Sequence, residues 1–300
     1  MEKPYLLHMI TAAKNLSPFD VNMAYDAGWT ACTAYSHVAL EEVTGLVQDA
    51  IFSRGPRGVA RTGVFLGGRD IHLAMDMLAA ARAAMVPPFE VSVFADPSGA
   101  FTTAAAMVAG AEGWLRRGFQ TGLAGLRVLV FGGTGPVGSA AAILSARVGA
   151  QTQIVSLLDL PRAQDAARHC NEHCGVEITA AYAGSDEEIL TLMDTADLVF
   201  NAAAAGVQVL RAHQVGRSAR LRVACDVNAV PPAGIEGIGV MDNGAPLPGA
   251  AGGALGLGAL AVGNIKYRVQ QGLLRQMHEA DSPQYLGLDA AFAMARLHVE

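Results

Sequence analysis

The sequence predicts an α/β protein of two domains, and three observations predict it. Short apolar runs rich in β-branched residues alternate with helical stretches along most of the chain. The run Arg127–Phe131 (RVLVF) passes into the glycine pattern Gly133-x-Gly135-x-x-Gly138 and then into Ser139–Val148, a helical stretch with small residues on its sheet-facing side. Between the two halves lies Arg116–Gly125 (RRGFQTGLAG), polar and glycine-containing, the best linker candidate.

In the first half, Tyr5–Ile10 reads as a strand. Ser17 can cap a short amphipathic helix with Pro18 at its first position, which puts Asp20, Asn22 and Asp26 on or beside that helix. Glu41–Ala50 is a second helix. Gly63–Gly67 is a strand running into Gly68-Arg69-Asp70, and Ile71–Met85 is strongly helical until Pro87-Pro88 stops it. Val91–Ala95 is the next strand and ends at Asp96-Pro-Ser-Gly99; Thr102–Leu115 is helical.

The second half has the strand, glycine turn and helix that a dinucleotide fingerprint requires, which makes it a Rossmann-type parallel-sheet domain. The first glycine permits the tight turn, the second lets a pyrophosphate approach the backbone, and the third lets helix and strand pack closely. Thr134, Pro136 and Val137 complete the loop, and the free N–H groups at the helix start face the phosphates. The alternative is an ordinary strand–turn–helix without a ligand. Thr152–Leu157 is the second strand. Asp159 follows it, about 20 residues beyond Gly138, where an acid reads an adenosine ribose. Asp159 can equally be a helix N-cap. Arg162, close by, could hold a 2′-phosphate instead, so the pair leans to NAD with NADP possible. Ile178–Tyr182 and Asp197–Phe200 are strands around the helix Asp186–Met193. The small residues Ala202 and Ala203 leave room for a cofactor at the ligand-binding edge. Leu221–Asp226 is a further strand, followed by Asn228 and Pro231-Pro232, the glycine-rich stretch 249–263, a long helix from Asn264 to about Ala280, and a last helix over 283–300 that returns to the first domain.

Composition narrows the function. Charged residues make up 16% and apolar residues 52%, so most of the chain can be buried. A net charge of −6 without a basic stripe argues against a nucleic-acid binder. The N-terminal apolar run, broken by His8 and without a convincing cleavage site, reads as a strand and not as a signal peptide. Gly244–Ile265 is uncharged, but its glycines and prolines suit a buried loop and strand better than a membrane span. The expected location is the cytoplasm. The four cysteines (Cys32, Cys170, Cys174, Cys225) form no disulfide framework. His169-Cys170 and His173-Cys174 invite a zinc reading through their helical spacing, but no second cluster completes four ligands, and no metal is expected.

Several longer strings carry a resemblance: Ser17–Met23 (SPFDVNM), Ile51–Arg54 (IFSR), Arg61–Gly68 (RTGVFLGG), Val86–Phe89 (VPPF), Phe94–Thr103 (FADPSGAFTT), Asp226–Ile235 (DVNAVPPAGI) and Gly258–Tyr267 (GALAVGNIKY). With them the chain resembles the NAD(P)-dependent methylene-tetrahydromethanopterin dehydrogenases of methylotrophic bacteria, over nearly its whole length, and more closely the type that accepts NAD as well as NADP. The resemblance implies residues 1–120 plus 281–300 as a pterin and oligomerisation domain, and 121–280 as the NAD(P) domain, with the pterin in the cleft between them. It implies a homo-oligomer, trimer or hexamer. The implied reaction is oxidation of the methylene bridge of a tetrahydromethanopterin-type carrier to the methenyl cation, in formaldehyde oxidation. One departure is Leu157-Leu158-Asp159, where a phosphate-reading Arg would be familiar; it leaves nucleotide choice open.

That chemistry selects the candidate residues. Hydride leaves a carbon flanked by two nitrogens, and no O–H or N–H proton is lost, so no general base is required. A carboxylate near the forming cation helps. Asp20 and Asp96 are the candidates, ahead of Asp26 and Asp70. Each has an ordinary alternative, a first-turn acid for Asp20 and a turn residue for Asp96. Lys266, read as starting a helix against its dipole, is placed at the pterin by similarity; it could also be a surface or interface lysine. Thr102 and Thr103 can donate to the pterin or cap their helix, and Asn228 faces the nicotinamide or serves the turn before the prolines. Three competing readings remain: the same chemistry on methylene-tetrahydrofolate, a Rossmann protein without turnover, and a shikimate- or glutamyl-reductase-like enzyme. Against the first, the Tyr-x-x-x-Lys pair of the bifunctional folate enzymes is not recognised.

Overall fold

The computed structural model describes residues 3–299. In chain order the elements of the first half are β1 (Leu6–Thr11), α1 (Pro18–Asp26), β2 (Ala31–Tyr35), α2 (Val43–Phe52), α3 (Pro56–Val59), β3 (Thr62–Gly67), α4 (Ile71–Ala83), β4 (Ser92–Ala95) and α5 (Ala100–Phe119). There follow β5 (Arg127–Phe131), α6 (Pro136–Arg147), β6 (Gln151–Ser156), α7 (Leu160–Cys174), β7 (Ile178–Tyr182), α8 (Asp186–Met193), β8 (Leu198–Asn201), α9 (Ala212–Arg217) and β9 (Val223–Asp226). The chain closes with β10 (Asn243–Pro246), β11 (Leu255–Leu257), α10 (Ala259–Glu279), β12 (Tyr285–Leu286) and α11 (Leu288–Leu297). The molecule divides into two compact units, one running to Thr102 and resuming over Tyr267–Met294, the other covering Thr103–Lys266 and the chain from Ala295 onward.

The first unit holds a five-stranded sheet in the order β12-β4-β3-β1-β2, with every pair parallel. All residues of β3 and β4 are buried, as expected of central strands covered on both faces. Met9, Phe65, Leu66 and Phe94 form its interior, and burying each such side chain contributes about 1.5–3 kcal/mol. The C-terminal segment does return here: Tyr285 and Leu286 pair with Val93 and Phe94.

The second unit holds a seven-stranded sheet in the order β10-β11-β9-β8-β5-β6-β7. Only β10, at the edge, is antiparallel to its neighbour. From β7 to β11 this is the Rossmann order, which reverses between β5 and β8. Phe131, Val199, Leu210 and Ile235 belong to one buried cluster on this sheet.

Four local expectations differ from the structure. No strand was expected over Ala31–Tyr35. As an edge strand with two exposed residues it carries no continuous apolar run. The supposed linker is helical in its first part, because α5 runs on to Phe119. Arg116 and Arg117 lie in its last turn, where cations suit the helix dipole, and Arg116 pairs with Glu112 one turn earlier. The helix expected from Asn264 begins at Ala259, since the small apolar residues before Gly263 continue it. The single helix expected over 283–300 is the strand β12 followed by α11.

Candidate active site

In the second unit the loop after β5 stands at the point where the strand order reverses. Its tight turn is taken by Gly132, with φ +72°, and a side chain there would meet the backbone of Ala202 at 2.4 Å. This corrects the expectation that Gly133 makes the turn; Gly133 instead packs against Ile154. Gly138 does permit close packing, because a Cβ on it would fall 2.3 Å from the carbonyl oxygen of Gly132. Gly135 is the N-cap of α6 and Pro136 its first residue, earlier than the start expected at Ser139. As a glycine, this N-cap offers no side chain to the first-turn N–H groups, the groups that suit an anion. Thr134 and Pro136 are exposed and Val137 is half-buried.

After β6, the Ser156 hydroxyl accepts from the N–H groups of Leu158 and Asp159, both at 3.2 Å. Asp159 is the N-cap of α7: its Oδ1 accepts from the Arg162 N–H at 2.8 Å. Its Oδ2 lies 3.0 Å from Arg162 Nε, an ion pair open to solvent. Acid and Arg are thus joined, where the sequence left them as competitors.

At the ends of β8 and β9 lies a buried polar network that sequence reasoning missed. Asn201 and Asp226 are register partners, and Asn201 Nδ2 donates to Asp226 Oδ1 at 2.8 Å. Asp226 also accepts from the N–H of Asn228 at 3.0 Å and of Ile235 at 2.9 Å. Asn201 Oδ1 takes the N–H of Ala203 at 3.0 Å, which fixes the half-buried pair Ala202–Ala203. Asn228 accepts from Gly206 and Val230 and donates to the Pro232 carbonyl at 2.9 Å, so its amide knits two loops together. The available signal was a polar residue closing each of two apolar strands.

In the first unit the strand order reverses between β1 and β3. Asp96, at the end of β4, is fully buried. Its Oδ1 accepts from the N–H groups of Phe101 and Thr102, and its Oδ2 from the Thr102 hydroxyl at 2.7 Å. Asp96 and Thr102 therefore act together to start α5, while Thr103 is half-buried one residue later. Asp20, in the first turn of α1 behind its Ser17 cap, is 3% exposed and accepts from Gln270 Nε2 at 2.8 Å. Asp70 caps α4 through the N–H groups of His72 and Leu73, and Asp26 ends α1 exposed. Lys266 is half-buried in the second turn of α10. Lys266 therefore does not stand at a helix start, contrary to the expectation from the sequence.

Three of the four thiols are held protonated and are poor nucleophiles. Burial pushes Cys32 up to about 11 and Cys170 up to about 12, and raises Cys225 well above the ordinary value. Among the described residues no group of three or more His, Cys, Asp or Glu is placed to hold a metal ion.

Comparison with known proteins gives this geometry its context. The NAD(P)-dependent methylenetetrahydromethanopterin dehydrogenase of Methylorubrum extorquens is 44% identical over 290 residues, covering 97% of both chains. The chain belongs to the methylene-tetrahydromethanopterin dehydrogenase family. A family model described as methylene-tetrahydromethanopterin dehydrogenase, N-terminal, matches residues 18–98 of this family member. The bifunctional protein MdtA of the same organism is 32% identical, over 93% of this chain and 94% of its own. Among solved structures, the shikimate 5-dehydrogenase of Listeria monocytogenes, in complex with shikimate and NAD, has a TM-score of 0.50 at 13% identity, covering 94% of each chain. The NAD-dependent malic enzyme of Thermotoga maritima has a TM-score of 0.54 at 12% identity, covering 97% of this chain and 84% of its own. These two support the fold of this family member. No helix among its described residues is long and apolar enough to cross a membrane.

Proposed function

We propose that the chain transfers hydride from the methylene bridge of 5,10-methylene-tetrahydromethanopterin to NAD or NADP, giving the methenyl cation. The observation that carries this reading is identity at 44% across 97% of a relative named for that reaction. The residues around the α6 N-terminus fit the nucleotide. A Cβ at Gly138 would crowd the turn, and the N-cap Gly135 makes no side-chain cap hydrogen bond. When bound there, NAD(P) supplies the hydride acceptor.

The protein's own task is positioning and electrostatics. Gly133, Thr134, Gly135, Pro136, Val137 and Gly138 present backbone to the pyrophosphate. Asp159 and Arg162 meet the adenosine ribose. Ala202, Ala203 and Asn228 shape the nicotinamide end, Asn228 by holding its loops. Asp20, Asp96, Thr102, Thr103 and Lys266 serve the pterin. Asp20 is the carboxylate we assign to the developing cation. Both oxygens of Asp96 are engaged in starting α5, so it acts through Thr102.

In this reading the unit that runs to Thr102 and resumes over Tyr267–Met294 handles pterin and assembly, and the unit built around Thr103–Lys266 handles the nucleotide. The enzyme works in the cytoplasm as a trimer or hexamer, in formaldehyde oxidation during methylotrophic growth. Purified protein is tested by following nicotinamide reduction with methylene-tetrahydromethanopterin, and its assembly by analytical ultracentrifugation. Sedimentation as a monomer contradicts the assembly reading.

A further inference from the structure

Gln270 is fully buried on α10, and its Nε2 donates to Asp20 Oδ1 at 2.8 Å. The residues are 250 positions apart in the chain, so α10 brings a neutral amide donor to a carboxylate held by α1. Both side chains are almost wholly removed from water. A buried carboxylate needs donors to remain ionised, and a buried glutamine is costly unless its amide is used. Asp20 is already placed by its helix: Ser17 caps α1, Pro18 fixes its first turn, and the Asp20 N–H bonds to the Ser17 carbonyl at 3.1 Å. The Gln270 amide restrains the carboxylate itself, at Oδ1.

We infer that Gln270 is a positioning residue for hydride transfer, holding the Asp20 carboxylate ionised and oriented toward the forming methenyl cation. This rests on the function proposed above. Gln270 need not touch substrate or nucleotide; it acts through Asp20. A neutral donor suits the task, because it fixes the carboxylate without cancelling its charge.

The test is a double-mutant cycle with Asp20→Asn and Gln270→Leu, plus a pH profile of Gln270→Glu, all assayed beside the wild type. Each single variant is expected to lower kcat by roughly tenfold to a hundredfold, with the KM for NAD unchanged. The double variant should lose no more than the worse single one, because the two residues act as a unit. Gln270→Glu keeps the shape and guards against a folding defect. While protonated, its carboxyl can donate to Asp20 as the amide does. Once ionised, it repels Asp20. Its kcat should therefore fall as pH rises through that titration, while the wild type stays flat because the reaction needs no base. Additive losses in the double variant overturn the inference, as does a Gln270→Glu kcat that is flat or rises with pH. A wild type that cannot oxidise the methylene carrier fails the functional reading and takes the inference with it. Wild-type turnover with additive variants overturns the inference alone.

Discussion

Asp159 has a structural role as the cap of α7, and the function proposed above gives it a second one at the adenosine ribose. Its Oδ1 caps α7 while its Oδ2 pairs with Arg162, and both side chains remain open to solvent. A carboxylate at this position favours a ribose hydroxyl and repels a 2′-phosphate, whereas a guanidinium does the reverse. Joined as an ion pair, each tempers the other, which is the arrangement expected of an enzyme that uses both nucleotides. Asp159→Asn retains a cap, so α7 should stay formed, while Arg162 is released. The ratio of kcat/KM for NADP over NAD is expected to rise by about tenfold. An unchanged ratio with intact protein would leave Asp159 as a helix cap and no more. Both residues and the cap were legible in the sequence, but not the contact between them, because i, i+3 neighbours meet only once the helix start is known. The turn at Gly132 was hidden for a related reason: adjacent glycines look alike until backbone angles distinguish them.

At the level of elements, the ends of β8 and β9 depend on a single carboxylate. Asp226 accepts from Asn201, Asn228 and Ile235 while 2% exposed. Asp226→Ala leaves three buried donors short of an acceptor and is expected to destabilise the protein by about 2–4 kcal/mol. The denaturant midpoint reads this loss, and an unchanged midpoint would refute the network's structural importance. Strand existence was legible here because apolar runs with β-branched residues announce buried parallel strands. The network was not, since pairing of Asn201 with Asp226 is a matter of register between distant segments. Edge elements were the least legible. Ala31–Tyr35 needs no continuous apolar run, because part of it faces solvent. Gln270 escaped notice because a glutamine in a helix carries no signal until its partner on α1 is known.

For the whole molecule, two histidines tie stability to pH. Burial, and then Arg54, hold His8 below the ordinary 6.5; burial does the same to His278. The unfolded chain therefore binds protons that the folded chain refuses. Stability is fully present above the ordinary histidine value of 6.5 and falls as pH drops below it, through the lowered folded-state values. The melting temperature should follow that direction, with a shallower slope in His8→Gln; a slope that His8→Gln leaves unchanged would remove His8 from the account. Fold and nucleotide loop are shared by many dehydrogenases, so the carrier decides. The most direct measurement is the rate of NAD and NADP reduction by the purified protein with methylene-tetrahydromethanopterin, set beside methylene-tetrahydrofolate. We predict turnover with both nucleotides on the methanopterin carrier and little on the folate. Tight nucleotide binding without reduction on either carrier, or a preference for the folate, would contradict the account.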